Sequence, residues 1–109
     1  MPTIYKVLGQ SAPGATTDTT LYTVPAATDA IVSSIVIANR DSTSATFRIA
    51  IRPGGATLAN QHYIAYDVTV GASDSTVLTL GLTLDATDVI TVRASTANLS
   101  FSAYGSEIS

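Results

Sequence analysis

The sequence predicts an all-β fold: one antiparallel β-sandwich of about eight short strands, with the jelly roll as one candidate topology. Aliphatic, β-branched, Thr and Ser residues dominate the chain, and long runs of helix-favouring residues are missing. Short apolar segments recur at intervals of roughly 10–13 residues with turn-forming residues between them, which is typical of sandwiches and small barrels. The chain of 109 residues is long enough for one domain with its own core, so we treat residues 1–109 as a single unit.

The first two predicted strands flank a loop rich in turn-forming residues. Residues 3–8 have the composition of a short strand, and residues 9–15 form the loop that follows it. A second strand over residues 19–24 ends at Pro25, which lacks a backbone N–H and therefore suits a strand end or a sheet edge. Residues 1–18 are a candidate N-terminal arm, either mobile or docked on a neighbour.

The third and fourth predicted strands differ in their periodicity. Residues 30–39 carry apolar side chains in both parities, as expected for a central strand or for one whose outer face meets another subunit. The fourth strand alternates, which predicts one core face and one wet face. The core face holds Phe47, Ile49 and Ile51, and the wet face holds Arg48, Ala50 and Arg52.

The remaining strands also show period-two patterns. Residues 61–70 predict a fifth strand with polar outer positions. Its two faces hold Ile64, Tyr66, Val68 and Val70 on one side and Tyr63, Ala65, Asp67 and Thr69 on the other. In the sixth strand every second residue from Leu78 to Leu84 is leucine, and a helix would scatter that set around its axis. Residues 89–94 and 99–104 are the last two strands, and residues 95–98 between them predict a hairpin loop.

Charge is scarce in this chain. Only 12% of the residues are charged, whereas ordinary soluble domains carry about 25%. Two explanations fit this shortage of charge: neutral Thr and Ser side chains cover the surface, and neighbouring subunits bury part of it. We expect both to apply. The net charge of −3 and the total of five Lys and Arg residues argue against nucleic-acid binding, which requires clustered cations.

The termini and the cysteine count narrow the class of protein further. The chain has no cysteine, so neither a disulfide nor a Cys zinc site can stabilise it. Residues 1–6 do not resemble the start of a secretion signal, and no stretch approaches about 18 consecutive apolar residues. We therefore expect neither a signal peptide nor a membrane-spanning segment.

Catalytic and metal-binding patterns are weak. His62 is the only histidine, and no Gly-x-Ser-x-Gly sequence is present to support a Ser–His–Asp triad, so a turn-stabilising or interface role suits it better. Asp85 and Asp88 in one turn and Asp74 in another could form a loop calcium site, but Asp in a turn usually caps its own backbone. We expect no enzyme activity, no catalytic residue, no cofactor and no bound metal.

Several arginine and tyrosine side chains could contact a partner instead. Arg48 and Arg52 share a strand face, with Arg93 on a nearby strand, and could bind a carboxylate or a sugar; solvated arginines are the alternative. Tyrosines near strand ends could form a carbohydrate platform or anchor an interface, whereas packing at the edge of the core is the alternative. The candidate interface or ligand contacts are Tyr5, Tyr22, Arg48, Arg52, His62 and Tyr63.

Six stretches of the chain form a recognisable set: residues 20–26, 32–40, 46–53, 62–67, 88–94 and 101–105. Their motifs are structural: a strand ending in Val-Pro, a buried strand and a terminal hairpin. Together they resemble small virion structural proteins of tailed bacteriophages, and the likeness extends over most of the chain, from about Thr3 to Gly105.

The resemblance implies a β-sandwich present in many copies per particle. The leading expectation is a capsid decoration or cement protein in the virion, made in the host cytoplasm, that bridges capsid subunits. Its expected partners are copies of itself, with a trimer favoured, and the major capsid protein or other virion proteins, but neither nucleic acid nor membrane. Two alternatives stay open: a tail, baseplate or fibre component that contacts host glycan, and a carbohydrate-binding module outside any virion.

Overall fold

The computed structural model describes residues 2–109 and contains two antiparallel four-stranded sheets packed face to face. Sheet A has the strand order β1-β8-β3-β6, and sheet B has the order β2-β7-β4-β5. This is the jelly-roll arrangement of eight strands, so the predicted fold class is confirmed. The strands are β1 (Thr3–Ser11), β2 (Thr19–Thr23), β3 (Asp29–Asn39), β4 (Ala45–Arg52), β5 (Tyr63–Val70), β6 (Ser75–Leu84), β7 (Val89–Ala94) and β8 (Leu99–Ile108).

The predicted terminal hairpin is wrong. β7 pairs with β2 and β4 in sheet B, whereas β8 pairs with β1 and β3 in sheet A. The loop over residues 95–98 therefore crosses from one sheet to the other. Within residues 2–109 the only consecutive strands that pair with each other are β4 and β5, joined by a connection with two 3-10 turns, Pro53–Gly55 and Asn60–His62.

The core lies between the two sheets. Phe47 of sheet B and Phe101 of sheet A meet edge to face, with ring centroids 6.2 Å apart. Aliphatic side chains from both sheets surround this pair, and burying each of them stabilises the fold by about 1.5–3 kcal/mol. The largest fully buried side chains are Phe47, Phe101, Ile35, Ile37, Ile49, Ile90, Leu99, Val24, Val32, Val70 and Val92.

The clearest alternating patterns in the sequence are confirmed. In β4, Phe47 and Ile49 are buried and Ile51 packs against the core, whereas Ala50, predicted on the wet face, is also buried. In β6, the leucines face the core, with Leu84 buried and the other three partly buried. β3 is central in sheet A, as its pattern indicated, yet Ile31 on its outer side is exposed. The second apolar face of β3 is therefore not covered by this chain.

The predicted faces of β5 are correct for Val68 and Val70, which lie opposite the buried Phe47 and Ala45, and wrong for the residues before Asp67. The register of β5 against β4 shifts twice, and Asp67 has a φ of 52°, so the strand carries bulges that break its period of two. As a result Ala65 is buried, whereas Ile64 and Tyr66 are exposed. The bulges also bring Tyr63 and Tyr66 together, with ring centroids 5.0 Å apart, although simple alternation assigned them to opposite faces.

The candidate N-terminal arm, as far as the structure describes it, belongs largely to the sandwich. Residues 3–11 form the edge strand β1, which pairs with β8 along its length. Residues 12–18 connect β1 to β2 and touch sheet B through a bridge between Ala15 and Ala94. In the described part of the chain, no helix has the length and hydropathy to cross a lipid bilayer.

Candidate interaction surface

The outer side of sheet A is a continuous surface, which we call the sheet A face. Side chains that lie opposite one another in neighbouring strands share a face, so the strand registers define its members. Asp29, at one end, is the only charged member, and the Arg40 guanidinium reaches the other end of the face by donating to the Ser100 hydroxyl. The members are Thr3, Tyr5, Val7 and Gln10 of β1, Ser100, Ser102, Tyr104, Ser106 and Ile108 of β8, Asp29, Ile31, Ser34, Val36 and Ala38 of β3, and Ser75, Val77, Thr79 and Thr83 of β6.

A broad depression of about 840 Å³ lies on the sheet A face. Tyr5, which is 83% exposed, and Tyr104 contribute to its lining together with the side chains of Ile31 and Ile108. Its one charged lining residue, Lys6, has its Nζ 3.0 Å from a carboxylate oxygen of Glu107. The depression therefore offers apolar and hydroxyl groups, and its single cation is already paired.

The outer side of sheet B, which we call the sheet B face, is charged. Arg48 and Arg93 lie directly opposite each other on β4 and β7, as the sequence indicated. The Arg48 guanidinium donates to both carboxylate oxygens of Asp67, at 2.7 and 3.3 Å, and lies 4.0 Å from the ring centroid of Tyr66. The hydrogen bond from Arg48 lowers the pKa of the Asp67 carboxyl below its usual range. This face therefore presents fixed ion pairs rather than a neutral surface.

A smaller pocket of about 230 Å³ lies between Arg48, Arg93 and the loop that follows β7. Its polar groups are already satisfied within the chain. Arg48 is paired with Asp67, Arg93 lies 3.6 Å from Asp18, and the Ser95 hydroxyl accepts the backbone N–H of Thr46. A sugar or a carboxylate entering this pocket would have to displace these contacts.

Arg52 and His62, two of the predicted contact residues, hold the long β4–β5 connection in place. The Arg52 guanidinium donates to the Thr91 hydroxyl at 3.0 Å and to the backbone carbonyls of Gly55 and Ala56. His62 Nδ1 accepts the backbone N–H of Ala59 at 3.1 Å. His62 therefore stabilises a turn, which is one of the two roles that the sequence predicts for it.

Tyr22, another predicted contact residue, does not lie on a surface. Its ring is buried between the sheets, because β2 turns it toward sheet A, and its hydroxyl donates to Glu107 Oε2. Burial raises the pKa of the Tyr22 phenol above its usual value, and the Glu107 carboxylate raises it further. The hydrogen bonds from Tyr22 and Lys6 lower the pKa of Glu107. Tyr22 thus links the two sheets and offers no ring to a ligand.

The aspartates considered for calcium bind backbone amides. Asp88 accepts the N–H groups of Gly54 and Asp85, each at 2.8 Å. Asp85 and Asp74 each accept the N–H of the following residue, also at 2.8 Å. Within residues 2–109 no group of three or more His, Cys, Asp or Glu side chains is arranged to hold a metal ion.

The sequence interpretation missed Asn39, at the end of β3. Its side chain is buried, and its Nδ2 is shared among the carbonyl oxygens of Thr43 at 2.9 Å, Gly71 at 3.2 Å and Val70 at 3.3 Å. Its Oδ1 accepts the N–H of Asp41 at 3.0 Å. One side chain therefore joins the β3–β4 loop to the β5–β6 loop. The sequence does carry a signal for this role, because Asn39 is an amide residue that ends a buried strand just before a turn.

No protein-family model and no curated protein matches the chain. The surfaces and buried contacts of the chain itself are therefore the basis for a functional proposal.

The contact between Tyr22 and Glu107 predicts a specific pH dependence of stability. Because the folded-state pKa of Glu107 is lowered, its contribution is present above the unfolded-state value of about 4.3 and is lost as the pH falls through the folded value. We expect the free energy of unfolding of the Glu107→Gln variant to fall less than that of the wild type between pH 6 and pH 3. Urea unfolding across that range measures the difference, and parallel curves would contradict the assignment.

Proposed function

We propose that the protein is a non-enzymatic structural component of a tailed-phage particle, a capsid decoration or cement protein whose sheet A face packs against neighbouring virion proteins. The observation that carries this proposal is the nearly charge-free sheet A face. Together with the resemblance of the sequence to small virion proteins, it favours a protein that works through contact surfaces. The protein would bridge capsid subunits and act as a homo-oligomer.

The composition of the sheet A face suits burial against a neighbour. Removing an unpaired charge from water costs far more than removing a hydroxyl that finds a new hydrogen-bond partner. The exposed apolar groups Tyr5, Val7 and Val77 contribute favourably when they leave water. A surface of Thr, Ser, Val, Ile and Tyr side chains therefore has a low desolvation cost and a net gain from burial.

The size of the sheet A face indicates individually weak contacts. A ten-residue strand is about 33 Å long and four strands are about 19 Å across, so the face covers roughly 600 Å². A stable interface of standard size removes about 800 Å² from each partner. Repetition around a symmetric shell would multiply such contacts into avidity, which is how a cement protein can stabilise a particle.

The difference between the two outer faces sets the orientation that we propose. On the sheet B face, Arg48 and Arg93 are already paired with carboxylates of the same chain, and Arg52 is bonded to its own loop. These groups are satisfied while they face water, and a neighbour would gain little by covering them. We therefore place the sheet A face toward the shell and the sheet B face toward solvent.

A charge introduced into the sheet A face should weaken attachment to the particle. Val7 is 47% exposed on β1 of sheet A, and Ile64 is 45% exposed on β5 of sheet B, so they form a matched pair. We expect Val7→Lys to reduce retention on purified particles about tenfold or more, because the lysine must be desolvated without a partner. Ile64→Lys should leave retention unchanged.

Quantitative binding to particles that lack the protein, followed by heating or osmotic shock, measures both effects. Equal retention of the two variants would contradict the proposed orientation. Particles that are equally robust with and without the protein would contradict the cement role itself.

A second candidate function is a tail, baseplate or fibre component that contacts host glycan. The two exposed tyrosines at the depression, Tyr5 and Tyr104, favour it, because aromatic rings form platforms for sugars. The number of copies per particle separates the candidates, since a shell protein is far more abundant than a tail-tip protein. A glycan array with the wild type and a Tyr5→Ala variant tests sugar binding directly, including binding by a module outside any virion.

A further inference from the structure

β6 is an edge strand without the usual protection against pairing with another chain. It runs over ten residues, Ser75–Leu84, and contains no charged residue and no proline. Edge strands normally avoid such pairing through charged side chains, proline, short length or bulges. β6 has one register shift against β3, after Thr79, and residues 75–79 run in unbroken register with β3. That segment is a regular and neutral template for a further strand.

The other three sheet edges are protected. β2 has only five residues, carries a register shift and is followed by Pro25. β5 carries two register shifts and the left-handed residue Asp67. β1 contains Lys6 and a register shift between Val7 and Gly9. Among the four edge strands, only β6 is long and has neither a charged residue nor a proline.

The side of the sandwich next to β6 is also open. β1 packs against β2 on one side, which leaves β5 and β6 as the edges of the opposite side. There the core-facing leucines Leu78, Leu80 and Leu82 are only partly buried. Val68 of β5 is 37% exposed although it lies opposite the buried Phe47. A free backbone edge and incompletely covered leucines thus coincide on one side of the molecule.

We infer that β6 pairs with β6 of a second copy of this chain, antiparallel and about a two-fold axis, so that sheet A continues across two subunits. A second copy fits because a two-fold contact brings identical residues together and therefore requires a surface without like charges. β6 meets that requirement. The inference goes beyond the proposed function and does not depend on it, since it concerns the purified protein alone.

Val77 lies at the centre of the regular segment 75–79 and is the natural position for the axis. With the axis there, Val77 faces Val77 of the other copy, and Asp74 falls opposite Leu80 rather than opposite a carboxylate. Directly opposed residues in antiparallel strands have Cβ atoms about 4.5–5.5 Å apart, so their side chains touch. The added strand would cover the partly buried leucines of β6. Its backbone would form hydrogen bonds with the N–H and C=O groups on the free edge of β6.

Charge-swap variants at Val77 test the pairing by sedimentation equilibrium over a concentration series. We expect the wild type to dimerise, and Val77→Lys and Val77→Glu each to dimerise about 100-fold more weakly, since each places like charges side by side. An equimolar mixture of the two variants should restore the dimer. Val7→Lys, which places the same charge on the edge strand β1 at the opposite side of the sandwich, should behave as the wild type.

Other outcomes overturn the inference. A wild type that is monomeric at millimolar concentration, a Val77→Lys variant that dimerises normally, or a trimer that survives both substitutions would each contradict β6 pairing. If the variants unfold, hydrogen exchange of the wild-type backbone amides tests the pairing instead. The β6 amides should exchange more slowly as the protein concentration rises, and exchange that does not depend on concentration would contradict β6 pairing. If the protein is part of a phage particle but is a monomer, the proposed function stands and the β6 pairing is wrong. If the protein dimerises but is present in no particle, the β6 pairing stands and the proposed function is wrong.

Discussion

The Gly105→Ala variant is expected to lose at least about 4 kcal/mol of unfolding free energy and to fold poorly or not at all. A Cβ atom on Gly105 would lie 1.9 Å from the carbonyl oxygen of Ile31 and 2.9 Å from its carbonyl carbon. Ile31 belongs to β3, which is held between β8 and β6. Because the obstacle is backbone in a central strand, no side-chain rotation can relieve the contact.

The close approach at Gly105 has a visible origin in the strand register. β3 pairs with β8 through Val32–Gly105 and then Ser34–Tyr104, so Ser33 is an extra residue on β3. Such a bulge moves the backbone of the bulged strand out of the regular ladder. Only a residue without a Cβ fits opposite it. A domain of this size has about 5–15 kcal/mol of stability in total, so the loss would remove a quarter of it or more.

Gly81→Ala is the matched control for Gly105→Ala. Gly81 also lies in a strand of sheet A, but a Cβ atom there would meet no heavy atom within 4 Å. Alanine at that position restricts the unfolded chain and should leave stability unchanged or raise it by up to about 1 kcal/mol. Urea unfolding of both variants, followed by circular dichroism, compares them. Similar midpoints would show that the close approach at Gly105 is not a constraint on folding.

The Asn39→Ala variant is expected to lose about 2–5 kcal/mol. Removal of the amide leaves the buried ends of two loops without hydrogen bonds, because Asn39 serves carbonyl oxygens of both and the N–H of Asp41. An unpaired buried polar group costs about 1–3 kcal/mol, and here more than one is affected. The β3–β4 and β5–β6 loops should also become more mobile.

Asn60→Ala provides the control for Asn39→Ala. Asn60 is exposed at the start of the second 3-10 turn, so its replacement should change stability by no more than about 0.5 kcal/mol. Chemical denaturation gives the energies, and amide exchange in residues 40–44 and 71–74 reports the loops. If Asn39→Ala were as stable as Asn60→Ala, the buried amide would have no structural importance.

The core faces of β4 and β6 were predictable from the sequence, because the register shifts against β5 and β3 leave the alternation of these two strands intact. β4 and β6 show plain alternation because each has one face on the core, and a period of two can be read without knowing the partner strand. The sequence predicts a sandwich and leaves the jelly roll as a candidate, since spacing predicts the number of strands but not the sheet to which each belongs. The predicted hairpin at the end of the chain failed for that reason: residues 95–98 suit either a turn within a sheet or a crossing between sheets.

The faces of β5 and the position of Tyr22 depend on information that lies outside their own segments. The bulges of β5 arise from its register against β4, and nothing within residues 63–70 marks Asp67 as left-handed. Tyr22 lies near the end of its strand, where the sequence predicts a tyrosine at an edge. Its hydroxyl, however, donates a hydrogen bond to the carboxylate of Glu107, 85 residues away, and this partner makes burial of the ring favourable. Long-range partners of this kind cannot be inferred from one strand at a time.

The sequence predicted a shortage of charge but not its location. The composition alone allowed a uniform thinning of charged residues over the whole surface. The order of the strands determines where the charged residues lie. It brings the outer residues of β1, β3, β6 and β8 onto one face and places Arg48, Arg52 and Arg93 on the other. The Ser and Thr residues that look unremarkable along the chain thereby form a single surface with Tyr5 and Val77.

The orientation of this protein on a particle is the most direct test of the account. A cryo-electron map of intact, purified phage particles that contain the chain would show which face meets a neighbour. We predict that the sheet A face, including Tyr5 and Tyr104, lies against another virion protein and that Arg48 and Arg93 face solvent. A sheet A face open to solvent throughout the particle would contradict the claim that its lack of charge serves burial.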